Sequence, residues 1–420
     1  MIKIVLFTLF LFSSAGALTF EGLINLTEKN NLDILAEKHR LKSRVYSEKS
    51  TFRSYFPTFT LQSSATLFYP YQGYSGKYWN QSYSYGFGFA ANPLNFQRNA
   101  QLKMDRFYIE YQKEELSEKR LDEYFKAIKY FLKLEGWKEK VEIRKKRFES
   151  SEKIYEVSVK KKKEGLVLLS DVLKAKANLE RSKKELETAK NEYRKVENTL
   201  REILNVDESV DLTPEVKLKN EISLSDAKEI LKFALENRPS LRKAKRSVQI
   251  SKVSVSYEKS ALLPQISLSV SYNRENTYWP PEDNNWSFSA LFQWPIFDSG
   301  QSKYRALSKK EEEKIASIEL KKEVNRVRRQ VLNSLSDFRS AQLNVKSAEE
   351  YLRFAKRSYE RTFNEYKKGV SDIVSLLTAF DELKNAEEQY IDTLVDFNIS
   401  YFEILRYSGL LLLDKVWREW

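Results

Sequence analysis

Two stretches of this chain, residues 94–213 and 296–420, contain no proline. Seven of the nine prolines (Pro57, Pro70, Pro93, Pro264, Pro280, Pro281 and Pro295) gather instead in two windows, with Pro214 and Pro239 between them. Proline breaks helix interiors and punctuates strand ends, so this distribution divides the chain into two turn-rich β windows and two long helical tracts. In the second tract the apolar series Val324, Val327, Val331, Leu335, Phe338, Ala341, Val345, Ala348, Leu352, Ala355, Tyr359, Phe363, Tyr366 advances by threes and fours. A mean step of about 3.5 residues is the coiled-coil period. A helix over 302–368 would reach about 100 Å at 1.5 Å per residue, far longer than one globular core uses. Each tract is interrupted by a glycine beside lysines, Gly165 or Gly369, after which helical periodicity resumes. A glycine there is a helix C-terminal stop, so each tract is expected to double back as a helical hairpin with its tip at that glycine.

The β windows alternate with period two. Phe59, Leu61, Ala65 and Leu67 alternate with Thr60, Gln62, Ser64 and Thr66, and Tyr83, Tyr85, Phe87 and Phe89 with Ser82, Ser84, Gly86 and Gly88. The second window sets Ile266, Leu268, Val270 and Tyr272 against Ser267, Ser269, Ser271 and Asn273, and then Trp286, Phe288, Ala290, Phe292 and Trp294 against Ser287, Ser289 and Gln293. Strands of about ten residues, with one apolar face, one polar face of almost no charge and aromatics near their ends, have the dimensions of tilted transmembrane strands. Four are too few to close a barrel, and an open edge in lipid is forbidden, so several chains must share one barrel. The loops around 70–81 and 275–285, which carry Trp79 and Trp279, read as its extracellular ends.

Residues 1–17 combine Lys3, an apolar run over 4–12 and Ala15-Gly16-Ala17, the pattern of a cleaved export signal. There is no cysteine and a single histidine, His39, so disulfides, thiolate chemistry, triads and the common zinc sites are excluded. The formal charge of +13 comes from Lys and Arg interleaved with Glu along helices, a solvated-face pattern that does not point to nucleic acid. Mean hydropathy is −0.57, and no later stretch is apolar enough for a membrane helix. No cofactor or metal is expected. Acidic residues are spread beside Lys and Arg instead of gathering in a cleft, so no enzyme is expected either.

The two halves align through Asn30 with Asn237, Pro57 with Pro264, Pro93 with Pro295 and Gly165 with Gly369, at an offset that drifts between 202 and 207. The expected organisation is a signal peptide (1–17), a first repeat (18–212; β-hairpin about 58–92, helical hairpin about 98–204) and a second (213–420; β-hairpin about 265–294, helical hairpin about 302–407). Further landmarks are Asn237-Arg238-Pro239 with Leu241, Leu263-Pro264 and the turn Trp294-Pro295-Ile296-Phe297-Asp298-Ser299-Gly300. Gly165-Leu166-Val167 leads to Ser170-Asp171-Val172, and Tyr366 stands three residues before Gly369. In this order and spacing the mature chain resembles the TolC-like outer-membrane efflux protein family.

That resemblance implies a mainly α chain with a β membrane part: a homotrimer with four strands per chain in a shared 12-stranded transmembrane barrel, and a coiled-coil α-helical barrel crossing the periplasm. Residues 205–223, with those past Tyr407, would form a belt midway along the tunnel. The implied function is a passive outer-membrane exit channel of a tripartite efflux or type I secretion system, loaded by an inner-membrane pump through a periplasmic adaptor. The resemblance places a gate at Asp171 and Tyr366, flanked by Ser170 and Asp372, and adaptor-binding tips at Gly165, Leu166, Gly369 and Val370. Two positions depart from the family pattern. Ser371 replaces a gate arginine, and Ser375 and Thr378 replace constriction aspartates, so weaker cation block at the entrance is expected. A soluble periplasmic coiled-coil adaptor is the alternative, sharing export and long hairpins but not needing the girdled strands.

Overall fold

The computed structural model describes residues 18–68 and 80–413. The signal segment, most of the first hairpin loop with Tyr69, Pro70 and Trp79, and residues 414–420 lie outside the described residues. The elements run α1 (Phe20–Asn30), α2 (Leu32–Arg53), β1 (Thr58–Phe68), β2 (Asn80–Leu94), α3 (Phe96–Lys163) and α4 (Leu169–Leu204). The same order then recurs as α5 (Ala227–Asn237), α6 (Pro239–Lys259), β3 (Gln265–Asn276), β4 (Asp283–Gln293), α7 (Gln301–Lys367) and α8 (Ile373–Ser408). Counterparts match in size: α3 and α7 have 68 and 67 residues, and α4 and α8 have 36 each. No helix among the described residues is long and apolar enough to cross a membrane. The chain divides into two compact units, and each draws on both halves of the sequence.

One unit comprises residues 37–116 and 239–324 and holds the sheet. Its strands are antiparallel in the order β1-β2-β3-β4, so two hairpins from distant parts of the chain join through β2 and β3. The register puts Phe59 opposite Phe89, Phe87 opposite Tyr272 and Tyr272 opposite Trp286, which gathers the aromatic and aliphatic residues on one face. That face is bare in the single chain, with Leu61 79% and Phe288 76% exposed. The opposite face carries Ser, Thr, Gln and Asn, and Gln62 donates to Asn273 at 3.3 Å across Gly86. A Cβ on Gly86 would fall 2.1 Å from the Tyr272 carbonyl oxygen, so glycine is what lets the two strands close at this point. β2 runs through Pro93 to Leu94, past the end expected from sequence; the pairing shifts register between Ala91 and Leu94, where proline's missing N–H breaks no ladder. Below the sheet, α6 is tied to α3 by Arg242–Glu114, Lys243–Glu115 and Arg246–Glu110 ion pairs of 2.7–3.0 Å.

The other unit comprises residues 18–36, 117–238 and 325–413 and is helical. The three-and-four series in α7 is its seam: Val327, Val331, Leu335, Phe338, Val345, Ala348, Ala355 and Tyr366 are all buried. Phe338 stacks on Phe397 of α8 with ring centroids 5.0 Å apart, and Phe397 is fully buried. The segment between α4 and α5 is pinned at two points. Leu18 donates to the Thr213 carbonyl at 2.9 Å, and Asn398, buried on α8, holds Lys219 by its amide (3.1 Å) and its carbonyl (2.8 Å). His39 is exposed on α2, in the sheet-bearing unit.

Candidate gate at the hairpin tips

Both helical hairpins turn on glycines in the left-handed region, Gly165 at φ +77° and Gly369 at φ +81°. At the first tip Leu166 N donates to the Lys161 carbonyl at 2.9 Å, and at the second Val370 N donates to the Glu365 carbonyl at 3.0 Å. These six-to-one bonds end α3 and α7 as Schellman turns. Lys160, Lys161, Lys162 and Lys163 fall in the last turn of α3 and Lys367 in that of α7, where ammonium groups complement the negative end of the helix dipole.

The return helices start on carboxylates. Asp171 sits in the first turn of α4 and accepts from Leu168 N at 3.3 Å, with Lys174 Nζ at 3.8 Å. Asp372 caps α8 and accepts from Val374 N (2.7 Å), Ser375 N (3.0 Å) and Ser375 Oγ (2.9 Å). These bonds, that from the Ser375 amide foremost, hold the Asp372 carboxyl below the usual carboxylate range. Thr378 Oγ1 donates back to the Val374 carbonyl at 2.9 Å. Ser170, Asp372, Ser375 and Thr378 are all exposed.

Tyr366 lies on the other side of the turn, 1% exposed, in a cluster with Ile154 of α3, Ala175 of α4 and Ile373, Leu376 and Phe380 of α8. Its hydroxyl meets Ser158 Oγ at 2.9 Å. Within the single chain, then, the phenol bonds to a serine of α3 and makes no bond to Asp171, although both residues line the same cleft of about 780 Å³ together with Lys161, Leu166, Gly369 and Val370. Ser158 and Lys161 escape a reading of the sequence, because Lys161 stands inside four consecutive lysines. The signal that finds them is spacing: Ile154, Ser158 and Lys161 follow one another by four and three, and all are buried on one face of α3.

Apolar side chains are exposed at the tips beside these polar ones. Leu166 is 68% exposed and Val370 76%, and Leu168, Leu169, Leu173 and Val374 are also exposed. Deeper in this unit, α3 is fixed to α8 by Arg147, whose Nη2 donates to the Phe380 carbonyl at 2.6 Å and whose guanidinium lies 4.0 Å from the Phe380 ring. Burial pulls the Arg147 pKa down to about 10. Arg144 pairs with Glu185 and Glu388, and Arg181 grips Asp381 through both carboxylate oxygens at 2.9 Å. Among the described residues no group of His, Cys, Asp and Glu is arranged to hold a metal ion.

The pattern of the family described as Outer membrane efflux protein matches residues 23–206 and again 230–409. Nodulation protein T of Rhizobium leguminosarum bv. trifolii is 26% identical over 151 residues, 34% of this chain and 32% of that protein, so the match spans about a third of the relative's length. Among solved structures, the outer-membrane channel OprN superposes with a TM-score of 0.76 at 20% identity, covering 93% of this chain and 89% of that one. The CmeC outer membrane channel of Campylobacter jejuni gives 0.76 at 17% identity, covering 93% and 85%. At these identities the likeness is one of fold.

Proposed function

This chain belongs to the outer membrane efflux protein family, and from that premise we propose that three copies assemble into a passive exit duct through the outer membrane. Each copy gives four strands to one 12-stranded barrel and its helical hairpins to a tunnel in the periplasm. The observation that carries this reading is the sheet: four strands with a bare apolar face, a polar face whose carboxylates, Glu275 and Asp283, stand only at the loop end, and outer edges on β1 and β4 that no described strand of the same chain covers. In lipid such edges must be paired by neighbouring copies. The polar face then lines the lumen.

An inner-membrane pump delivers the cargo and supplies the energy, and a periplasmic adaptor docks on the tips at Gly165, Leu166, Gly369 and Val370, where exposed apolar side chains suit helix-end packing. The duct performs no catalysis. Its periplasmic mouth is gated around Asp171, Ser170, Tyr366 and Asp372, with the exposed hydroxyls of Ser375 and Thr378 at the constriction. Hydroxyls bind multivalent cations far more weakly than carboxylates do, so trivalent cations are expected to block this mouth weakly.

The deciding experiment extracts the protein from outer membranes with detergent, measures its mass after crosslinking, and records from planar bilayers. Trimers that give discrete conductance steps are the expected result. A protein that leaves the periplasm without detergent and gives no steps would mark it as a soluble coiled-coil adaptor instead.

A further inference from the structure

The tip carboxylates are occupied at the starts of their own helices, Asp171 on α4 and Asp372 on α8. The polar contacts that join α3 to the end of α7 converge on Tyr366 instead. Its hydroxyl meets Ser158 Oγ at 2.9 Å, and Lys161 Nζ donates to its backbone carbonyl and lies 4.3 Å from its ring centroid. All three side chains are at least nine-tenths buried.

Either hydroxyl can donate in the first bond. Ser158 Oγ also reaches the Ile154 carbonyl at 2.9 Å, and when its single proton is used there it accepts from Tyr366. In that arrangement the phenol proton is spent on Ser158 and not on a carboxylate. Lys161 supplies the second half of the arrangement. Among the described residues no carboxylate lies within ion-pair distance of its ammonium, and a buried charge is costly unless something replaces its hydration. The replacement is Tyr366, through the face of its ring and a carbonyl at the negative end of α7. Each residue fixes the other.

We infer that Ser158 and Lys161 are positioning residues that hold Tyr366, and with it the end of α7, against α3, so that the shut mouth is latched inside each chain from α3 and not through a bond between Tyr366 and Asp171. This rests on the channel reading above. A swing of α7 and α8 away from α3 breaks the latch and leaves Lys161 free to extend its ammonium into water, which compensates the lost ring contact and keeps opening reversible.

Planar-bilayer recording of the detergent-extracted trimer tests the latch. Ser158→Ala and Tyr366→Phe are each expected to raise the open-to-shut ratio about fivefold, the factor carried by one neutral hydrogen bond, and the double variant no more than either alone. Lys161→Met is expected to raise it about tenfold or more, and Lys161→Arg to restore much of the closure, since the guanidinium keeps both the ring contact and the donor. Asp171→Asn is expected to raise the ratio less than Tyr366→Phe or Lys161→Met, because Asp171 lines the mouth without bonding Tyr366 and its cap contact survives the change. The latch is overturned if Asp171→Asn opens the channel as Tyr366→Phe does while Ser158→Ala and Lys161→Met leave it shut. If Lys161→Met does not assemble, Ser158→Ala and Lys161→Arg decide, since neither removes packing volume. A wild-type trimer that gives no conductance steps fails the channel reading itself, whereas conducting trimers indifferent to the Ser158 and Lys161 substitutions fail the latch alone.

Discussion

The Asp372 carboxylate accepts three hydrogen bonds at the first turn of α8, and they hold its pKa below the unfolded value. A depressed carboxylate pKa adds stability above the unfolded value, about 3.9, and that contribution fades as pH falls through the folded value. Asp372→Asn keeps an acceptor oxygen but loses the charge. The variant trimer is expected to melt below wild type at neutral pH, with the gap narrowing as pH falls below the unfolded carboxylate value. A gap that persists undiminished in acid would mean the charge is not its source. The same residue shows what sequence could and could not reveal. Its place as the cap of α8 was not read from the sequence, which assigned Asp372 to the gate by resemblance alone, whereas the two glycine turns were legible, because positive φ excludes most side chains. The partner of Tyr366 was not legible, since a family position names a residue without saying which helix its hydroxyl faces.

At the scale of elements, spacing carried the argument well. Of the thirteen apolar positions that step along α7, none is exposed. The long helices, their turns and the four strands followed from proline placement and from the two periods of 3.5 and 2. The end of β2 did not, because Pro93 reads as a stop unless the register shift that accommodates it is seen. The stacked pair Phe338 and Phe397 is one place where α7 and α8 are held by packing. Phe397→Ala empties a fully buried site, and such truncations cost about 3–5 kcal/mol. Far-UV melting of the trimer should show a lowered midpoint, and proteolysis should cut earliest in α7 and α8. Unchanged melting would mean that the cavity collapses without cost.

For the whole molecule, the two faces of the sheet make opposite predictions. Phe288 stands on the apolar face, 76% exposed in the single chain, and Ser269 on the polar one. Phe288→Lys places an ammonium in lipid at a cost of about 2–4 kcal/mol per chain, so the trimer recovered from outer membranes should fall sharply. Ser269→Lys points into the lumen, and assembly should survive while the reversal potential in a salt gradient moves toward anion selectivity. Equal losses for both variants would remove the distinction between lipid and lumen faces. The sheet's connectivity also sets a schedule. β2 ends at Leu94 and its partner β3 begins at Gln265, with all of α3 to α6 between them. A ribosome working at about 5–20 residues per second needs roughly 9–34 s to make that interval. The first hairpin is therefore finished long before the strand that will pair its inner edge exists, and through that delay the hydrogen-bonding groups along that edge of β2 have no partner strand from their own chain.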